Sequence, residues 1–380
     1  MAKGHAEIAG AGVAGLIAAA ALAQRGWTVR VHERAPDLRN YGAGISCWYN
    51  FAKCLKAVGA YEQARQNARP FYIRETRDEK NRVLYTIAAE PDRGIQTFSL
   101  TRRDLSFALA SAAQQHGVEI VTSSRGVSAD PSGELVTEEG RRYRADLVIA
   151  ADGVNSSIRD GLGLLKKRVK LGEGAVRMLI PRTDEERQSE DGRKGIEYWS
   201  GARRLYYTAN NTNEVYLAFM VPASDVEGNA VPIRKDVWIK SFPYLKGLIE
   251  RVGDQGRWDE FEQITLHKWS SGKVAVVGDA GSAMAPNIGQ GGGYAAVNAL
   301  ALAVCVSEAR SLEEGLATWE EKQRPITEYT QRVSYWYGRM NDLPPFLRAQ
   351  FIKLVGRSKF LVNIRQRPAN IEPLGYVAEA

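Results

Sequence analysis

Residues 6–34 read AEIAGAGVAGLIAAAALAQRGWTVRVHER, and their reading decides the fold. The stretch predicts strand, glycine turn, helix, strand. Glu7, Ile8 and Ala9 close a buried strand. Gly10, Gly12 and Gly15 follow in G-x-G-x-x-G spacing: the first permits a tight turn, the second lets a pyrophosphate approach the backbone, and the third lets the helix pack on the sheet. Val13 and Ala14 complete the turn and open a helix running to about Gln24, with Gly26 ending it. Thr28 to His32 alternates as a second strand. Glu33 stands at its end, where an acid takes the hydroxyls of an adenosine ribose, and Arg34 follows it. The helix N-terminus offers free N–H groups and a partial positive charge to phosphates. The stretch therefore predicts a bound dinucleotide, with NAD and FAD equally open at this point.

The chain has 380 residues, 44% hydrophobic and 25% charged, which suits a globular protein with a large core and two domains. No apolar run reaches the ~18 residues of a membrane span, and the glycine-broken N-terminus does not read as a signal peptide. Cys47, Cys54 and Cys305 have no metal-ligand spacing, so no metal site is expected and a reducing, cytoplasmic setting fits. The net charge of +7 is dispersed. It reads either as a basic surface with no special partner or as attraction of anionic small molecules, and being dispersed it argues against nucleic acid; without a spanning run, no membrane partner is expected.

Outward from the opening unit, the small-residue loop Gly42-Ala43-Gly44-Ile45, followed by Asn50, can lie against a flat ring or be a simple turn. Segments within 70–100 (FYIRET, VLYTI, GIQTFSL) read as a strand excursion, and Thr101 caps a helix beginning at Arg102. Val118 to Thr122, a strand from Val127 and a hairpin over 134–143 lead to a buried strand ending at Asp152-Gly153. Alternating segments then appear: AVRMLIPR, GIEYWS, RRLYYTA and EVYLAFMVP. They predict a largely antiparallel sheet with one buried face. A helical stretch is expected over Asp236 to Val252. KVAVVGD returns to a buried strand, APNIGQGGG is a glycine-rich turn, and helices are expected over 294–307, 312–338 and 347–354.

These readings give an α/β fold: a Rossmann-like three-layer domain from 1–169 and 270–335, with the excursion at 70–100. A β-sheet substrate domain is inserted at 170–269, and 336–380 form a C-terminal helical segment.

Three separated motifs now stand together: GAGVAG with Glu33; ADGVNS (151–156) with Arg159; and GDA (278–280) followed by Pro286 and GQGG (289–292). In combination they resemble the single-component FAD-dependent aromatic hydroxylases, the para-hydroxybenzoate hydroxylase family. GAGI with Trp48 and Asn50, RMLIPR (177–182), RRLYY and EVYLAFMVP resemble its 2-methyl-3-hydroxypyridine-5-carboxylate oxygenase branch. The resemblance implies bound FAD and transient NADH or NADPH. It implies that Gly10, Gly12, Val13, Ala14 and Gly15 hold the pyrophosphate and Glu33 the ribose, with Arg34 also at the cofactor. Arg102 and Gly44 would lie near the flavin, Asp152 and Asp279 along the cofactor, and Val127 would lend backbone to the adenine. Pro286, Gly289, Gln290, Gly291 and Gly292 would face the ring edge where charge builds. Two departures from the family pattern are Gly281 after GDA, where histidine is frequent, and Asn298, where aspartate is frequent.

The implied reaction is hydroxylation of a small activated aromatic ring by O₂ through a flavin C4a-hydroperoxide. The ring would be a phenol, nitrophenol, hydroxybenzoate or hydroxypyridine carboxylate, and the enzyme a monomer or homodimer. Arg177, Arg204, Tyr207 and Tyr216 are the candidate substrate residues, through bidentate pairing and ring-oxygen hydrogen bonds. Residue by residue, both tyrosines read equally well as amphipathic core, and Arg204 beside Arg203 as a surface pair. A flavin dehydrogenase or reductase, or an epoxidase of a larger substrate, is the alternative on the same scaffold.

Overall fold

The computed structural model describes residues 3–38, 44–89, 91 and 94–377. Gly42 and Ala43, part of the expected ring-facing loop, lie outside them.

The strand His5–Ala9 pairs in parallel with Thr28–His32 on one side and Leu147–Ala150 on the other. Glu119–Val121 extends the sheet beyond Thr28–His32, and Val274–Val276 extends it beyond Leu147–Ala150. The two-residue strand Ser270–Ser271 adds the sixth, antiparallel member. Residues 18–21 of the first helix, Val13–Ala23, are alanines with no exposed surface. Their small side chains let this helix lie between the sheet and the helices Arg102–Gln115 and Gly291–Glu308. On the other sheet face lies the antiparallel meander Gly126–Asp130, Glu134–Thr137, Arg142–Arg144. The three layers are therefore meander, sheet and helices.

Glu7 sits almost fully buried in the central strand. It is tolerated because His32 Nε2 and His5 Nε2 lie 2.7 and 2.8 Å from its two oxygens, and Arg30 donates to it at 3.1 Å. Burial alone would raise its pKa, but these partners outweigh burial and lower it.

The second sheet has seven strands, in the order 258–266, 165–181, 214–222, 203–209, 195–200, 73–78, 83–88. The excursion segment thus belongs to this sheet. Ile73–Asp78 pairs in parallel with Gly195–Ser200, and Phe98–Thr101 carries the chain back to the helix at Arg102. Alternation divides the sheet into two faces. Val176, Met178, Leu205, Tyr207, Leu217 and Phe219 pack under Trp238 and Phe242. Ala175, Tyr206, Tyr216, Ala218 and Met220 lie on the opposite face with Phe261. The helix expected over 236–252 is two helices, Lys235–Ser241 and Lys246–Glu250, because Pro243 has no N–H to continue the ladder.

The helix expected from Tyr294 begins at Gly291, so Gly291 and Gly292 form its first turn. Leu312–Arg339 is one long helix, and Pro345–Arg357 and Lys359–Gln366 follow it. No helix among the described residues is long and apolar enough to cross a membrane.

Candidate active site

The glycine turn separates two kinds of constraint. A Cβ on Gly10 (φ 104°) would stand 2.4 Å from Ala151 O, and one on Gly15 would stand 1.9 Å from Gly10 O. The protein itself requires these glycines. A Cβ on Gly12 would meet nothing within 4 Å. Gly12 opens onto space at the N-terminus of the first helix, where free N–H groups and the helix dipole favour a phosphate. Glu33 closes the turn: Oε2 accepts from Ala11 N and Oε1 from Ala35 N, both at 2.9 Å. Each oxygen keeps a lone pair for a ribose hydroxyl. Arg34 is exposed beside it, and the Val127 carbonyl accepts the Ser157 hydroxyl at 2.6 Å.

The other motifs meet this turn. Ala151 and Asp152 wall Gly10, and Asp152 Oδ1 is buried without a partner among the described residues. Burial raises the Asp152 pKa, opposed by the Ser156 hydroxyl. A Cβ on Gly278 (φ 65°) would lie 2.8 Å from Ala14 Cβ, so the GDA segment rests on the first helix and delivers Asp279 to the same recess. The orphaned Asp152 oxygen, the space over Gly12 and the free lone pairs of Glu33 fit an FAD.

Arg102, at the start of its helix, is open to solvent yet walled by protein. Burial lowers its pKa, as does Arg177, while Tyr216 and Asp279 oppose them. Asp279 is similarly placed: burial raises its pKa, against Arg102 and Arg177. Arg102, Arg177, Tyr216 and Asp279 therefore share one recess between the two sheets. On its sheet side Arg177 lies over the Phe261 ring at 5.4 Å, 3.5 Å from Asp259. The Tyr216 pKa is raised by burial, against the opposing charges of Arg177 and Arg102, so the phenol is neutral across the ordinary pH range.

Arg204 is on the same face but is not free. It is fully buried and donates to Glu173 (2.7 Å), Glu197 (3.3 Å) and Asn287 Oδ1 (2.8 Å), with Trp199 5.0 Å away. Burial opposes its charge, but Glu173 and Glu197 raise its pKa overall. Asn287 donates onward to Glu173, and Ser334 Oγ donates to Ala285 O at 2.6 Å. Arg204 thus pins the Pro286–Ile288 turn to the sheet and to the long helix; it does not present a cation to substrate. Tyr207 is brought to the wrong face: in RRLYY the alternation sends Tyr206 to the recess and Tyr207 into the helix-covered core. Gln290 is also structural in part, accepting from Asn50 Nδ2 at 2.8 Å. Gly289 (φ 68°) ends the turn. Gly44 is forced by packing, since its Cβ would stand 1.9 Å from Asn210 Nδ2.

Two residues were missed in the sequence. Tyr206 OH stands 3.4 Å from Ser46 Oγ. The Arg74 guanidinium lies 4.8 Å from the Trp48 ring, 4.9 Å from Tyr206 and 5.8 Å from Phe71. Arg74 Nη1 and Trp48 Nε1 are buried without partners among the described residues. A Cβ on Gly289 would be 3.1 Å from Trp48 Nε1 and 3.6 Å from Arg74 Nη1, so this caged cation abuts the glycine turn. The one available signal was the alternation of FYIRET, which sets Arg74 on a sheet face. Beside it a cavity of about 470 Å³ is lined by Trp48, Tyr49, Ile288, Gln290, Arg365 and Ala369.

A family model described as an FAD binding domain matches residues 5–334. The chain belongs to that family. It is 39% identical over 361 residues to 2-heptyl-3-hydroxy-4(1H)-quinolone synthase of Mycobacteroides abscessus, covering 94% of this chain and 96% of the relative. It is 28% identical to 6-hydroxynicotinate 3-monooxygenase of Bordetella bronchiseptica, covering 90% and 94%. Among solved structures, the tetrameric form of 2-methyl-3-hydroxypyridine-5-carboxylic acid oxygenase matches with a TM-score of 0.86 and 35% identity, covering 98% of each chain. This protein is an FAD-dependent monooxygenase of the aromatic hydroxylase type.

Proposed function

We propose that this monooxygenase uses NAD(P)H and O₂ to hydroxylate a nitrogen heteroaromatic bearing a ring oxygen, of the 4-quinolone kind. The observation that carries the proposal is the Arg177–Tyr216 pair, which faces the recess shared with Arg102 and Asp279. In the overall reaction a ring C–H becomes C–OH. One oxygen atom of O₂ enters the ring, the other leaves as water, and NAD(P)H supplies two electrons.

Bound FAD supplies the electron transfer and the activation of O₂. Gly12, Glu33, Asp152, Asp279 and Arg102 would hold it, and the start of helix Gly291–Glu308 would favour negative charge at its ring edge. The protein's own residues orient the ring. Burial holds the Tyr216 phenol neutral, so its O–H can donate a hydrogen bond to the substrate's ring oxygen. Arg177 adds positive charge there. Stabilising that oxygen as an oxyanion raises electron density at the adjacent ring carbon, the position to be hydroxylated. Tyr206 and the apolar side chains beside it exclude water from the ring.

Arg204 is committed to Glu173 and Glu197, and Arg177 is partly balanced by Asp259, so neither of these two arginines is a free partner for a substrate carboxylate. This favours a quinolone-like oxygen over a pyridine carboxylate. The higher identity to the quinolone synthase than to the hydroxynicotinate enzyme supports the same choice. The test is NAD(P)H oxidation by the FAD-loaded protein against 2-alkyl-4-quinolones, hydroxypyridine carboxylates and simple phenols, with product mass. The proposal predicts coupled turnover with the quinolones. Oxidation coupled only to a carboxylate or phenol would overturn the substrate choice, and reduction of substrate without oxygen gain would overturn the reaction.

A further inference from the structure

The C-terminal helices expose an apolar face of unusual density. On Pro345–Arg357, Phe346 is 71% exposed, and Leu347, Phe351 and Leu354 are exposed beside it. Leu343 precedes them, and Phe360, 73% exposed, follows on Lys359–Gln366. The helix is anchored on its opposite side, where Ile352 and Arg348 are buried and Arg348 lies 4.9 Å from the Trp199 ring. The exposed face is therefore a fixed surface of the fold.

Its charge identifies what covers it. From Leu343 to Ile371 the sequence carries six basic residues and no acidic one. Lys353, Arg357 and Lys359 are exposed and make no ion pair among the described residues. At a helical step of 100°, Lys353 and Arg357 lie on one shoulder of the stripe formed by Phe346, Leu347, Phe351 and Leu354. A second copy docked on this face by a two-fold axis would bring these unbalanced cations together. An anionic lipid surface accepts both the phenylalanines and the cations.

We infer that the helices 345–357 and 359–366 lie in the surface of an anionic bilayer, holding the monooxygenase peripherally on the membrane. This revises the expectation of no membrane partner, which rested on the lack of a spanning segment. The cavity beside Trp48 is lined by Arg365 and Gln366, at the end of the second helix, and by Ala369 and Asn370 just after it. The bound helices would thus set that cavity near the lipid. The inference stands on the surface alone and does not depend on the quinolone reading.

The test is co-sedimentation of the full FAD-loaded protein with vesicles of phosphatidylcholine alone or mixed with phosphatidylglycerol. Wild type should bind the mixed vesicles, and added salt should weaken the binding. Each charge reversal, Lys353→Glu or Arg357→Glu, should weaken it about fivefold or more. Phe346→Ser and Phe351→Ser should each weaken it about tenfold or more, with unchanged melting temperature and flavin absorbance showing the fold intact. Failure of wild type to sediment with the mixed vesicles at low salt would overturn the inference. So would binding that the four substitutions leave unaltered. Light scattering showing a dimer that Phe346→Ser dissociates would also overturn it, by assigning the face to a second copy.

Discussion

Gly12 and Gly15 occupy neighbouring places in one motif, yet alanine at each should fail differently. Gly12 has φ −77° and ψ −174°, extended backbone that alanine adopts without strain, and its Cβ would meet no protein atom within 4 Å. Gly12→Ala should therefore shift apoprotein stability by no more than about 1 kcal/mol, a small gain from the unfolded chain offsetting a weaker N-cap. The methyl would instead occupy the pyrophosphate cradle. Losing one charge-assisted backbone hydrogen bond, worth about 1.5–3 kcal/mol, should raise the FAD dissociation constant about tenfold to about 150-fold. Gly15→Ala places its Cβ 1.9 Å from Gly10 O, a backbone atom that cannot swing away. It should destabilise the apoprotein itself by about 1–3 kcal/mol or more. Thermal melting of the apoproteins and fluorescence titration with FAD separate the two. The reasoning is refuted if Gly12→Ala binds FAD like wild type, or melts as early as Gly15→Ala.

Arg204→Met should cost about 3–5 kcal/mol of stability by leaving Glu173 and Glu197 buried without their cation, read by denaturant unfolding; a neutral result would contradict its role in pinning the Pro286 turn. Tyr216→Phe should lower turnover about a hundredfold with FAD content unchanged, whereas an unaltered rate would remove Tyr216 from the reaction. Arg74→Met should raise the substrate KM several-fold and leave the FAD affinity unchanged; equal KM values would assign the caged cation to structure alone. For Asp279, burial raises the folded pKa above its unfolded value, so the native apoprotein holds that proton more tightly and loses stability as pH rises from about 4 through the folded pKa. Asp279→Asn should therefore melt later than wild type at neutral pH, with the advantage vanishing below about pH 4, while binding FAD more weakly.

The first βαβ unit was legible because every local signal agreed: a buried strand, glycines in G-x-G-x-x-G spacing, an alanine-rich helix, and an acid at the next strand end. The second sheet was legible as alternation, but alternation gives two faces without saying which is covered. Tyr206 and Tyr207 are adjacent and chemically identical, and only the helices carrying Trp238 and Phe242 decide that Tyr207 is core. Arg204 read as a substrate residue, but its partners Glu173, Glu197 and Asn287 lie on other segments and make it a brace. Arg74 was hidden for the opposite reason. Its importance lies in the absence, among the described residues, of an acidic partner within its aromatic cage, and an absence in space leaves no mark on the strand that carries it. The excursion over 70–100 looked like an appendage to the first domain because parallel pairing of Ile73–Asp78 with Gly195–Ser200 joins residues far apart in the chain.

Monooxygenation is tested most directly by turnover of a 2-alkyl-4-quinolone with NAD(P)H under isotopically heavy dioxygen. The account predicts a hydroxylated ring carrying one heavy oxygen atom, formed in step with NAD(P)H consumed. A product whose new oxygen comes from water, or substrate-stimulated NAD(P)H consumption that yields a reduced ring without new oxygen, would contradict it.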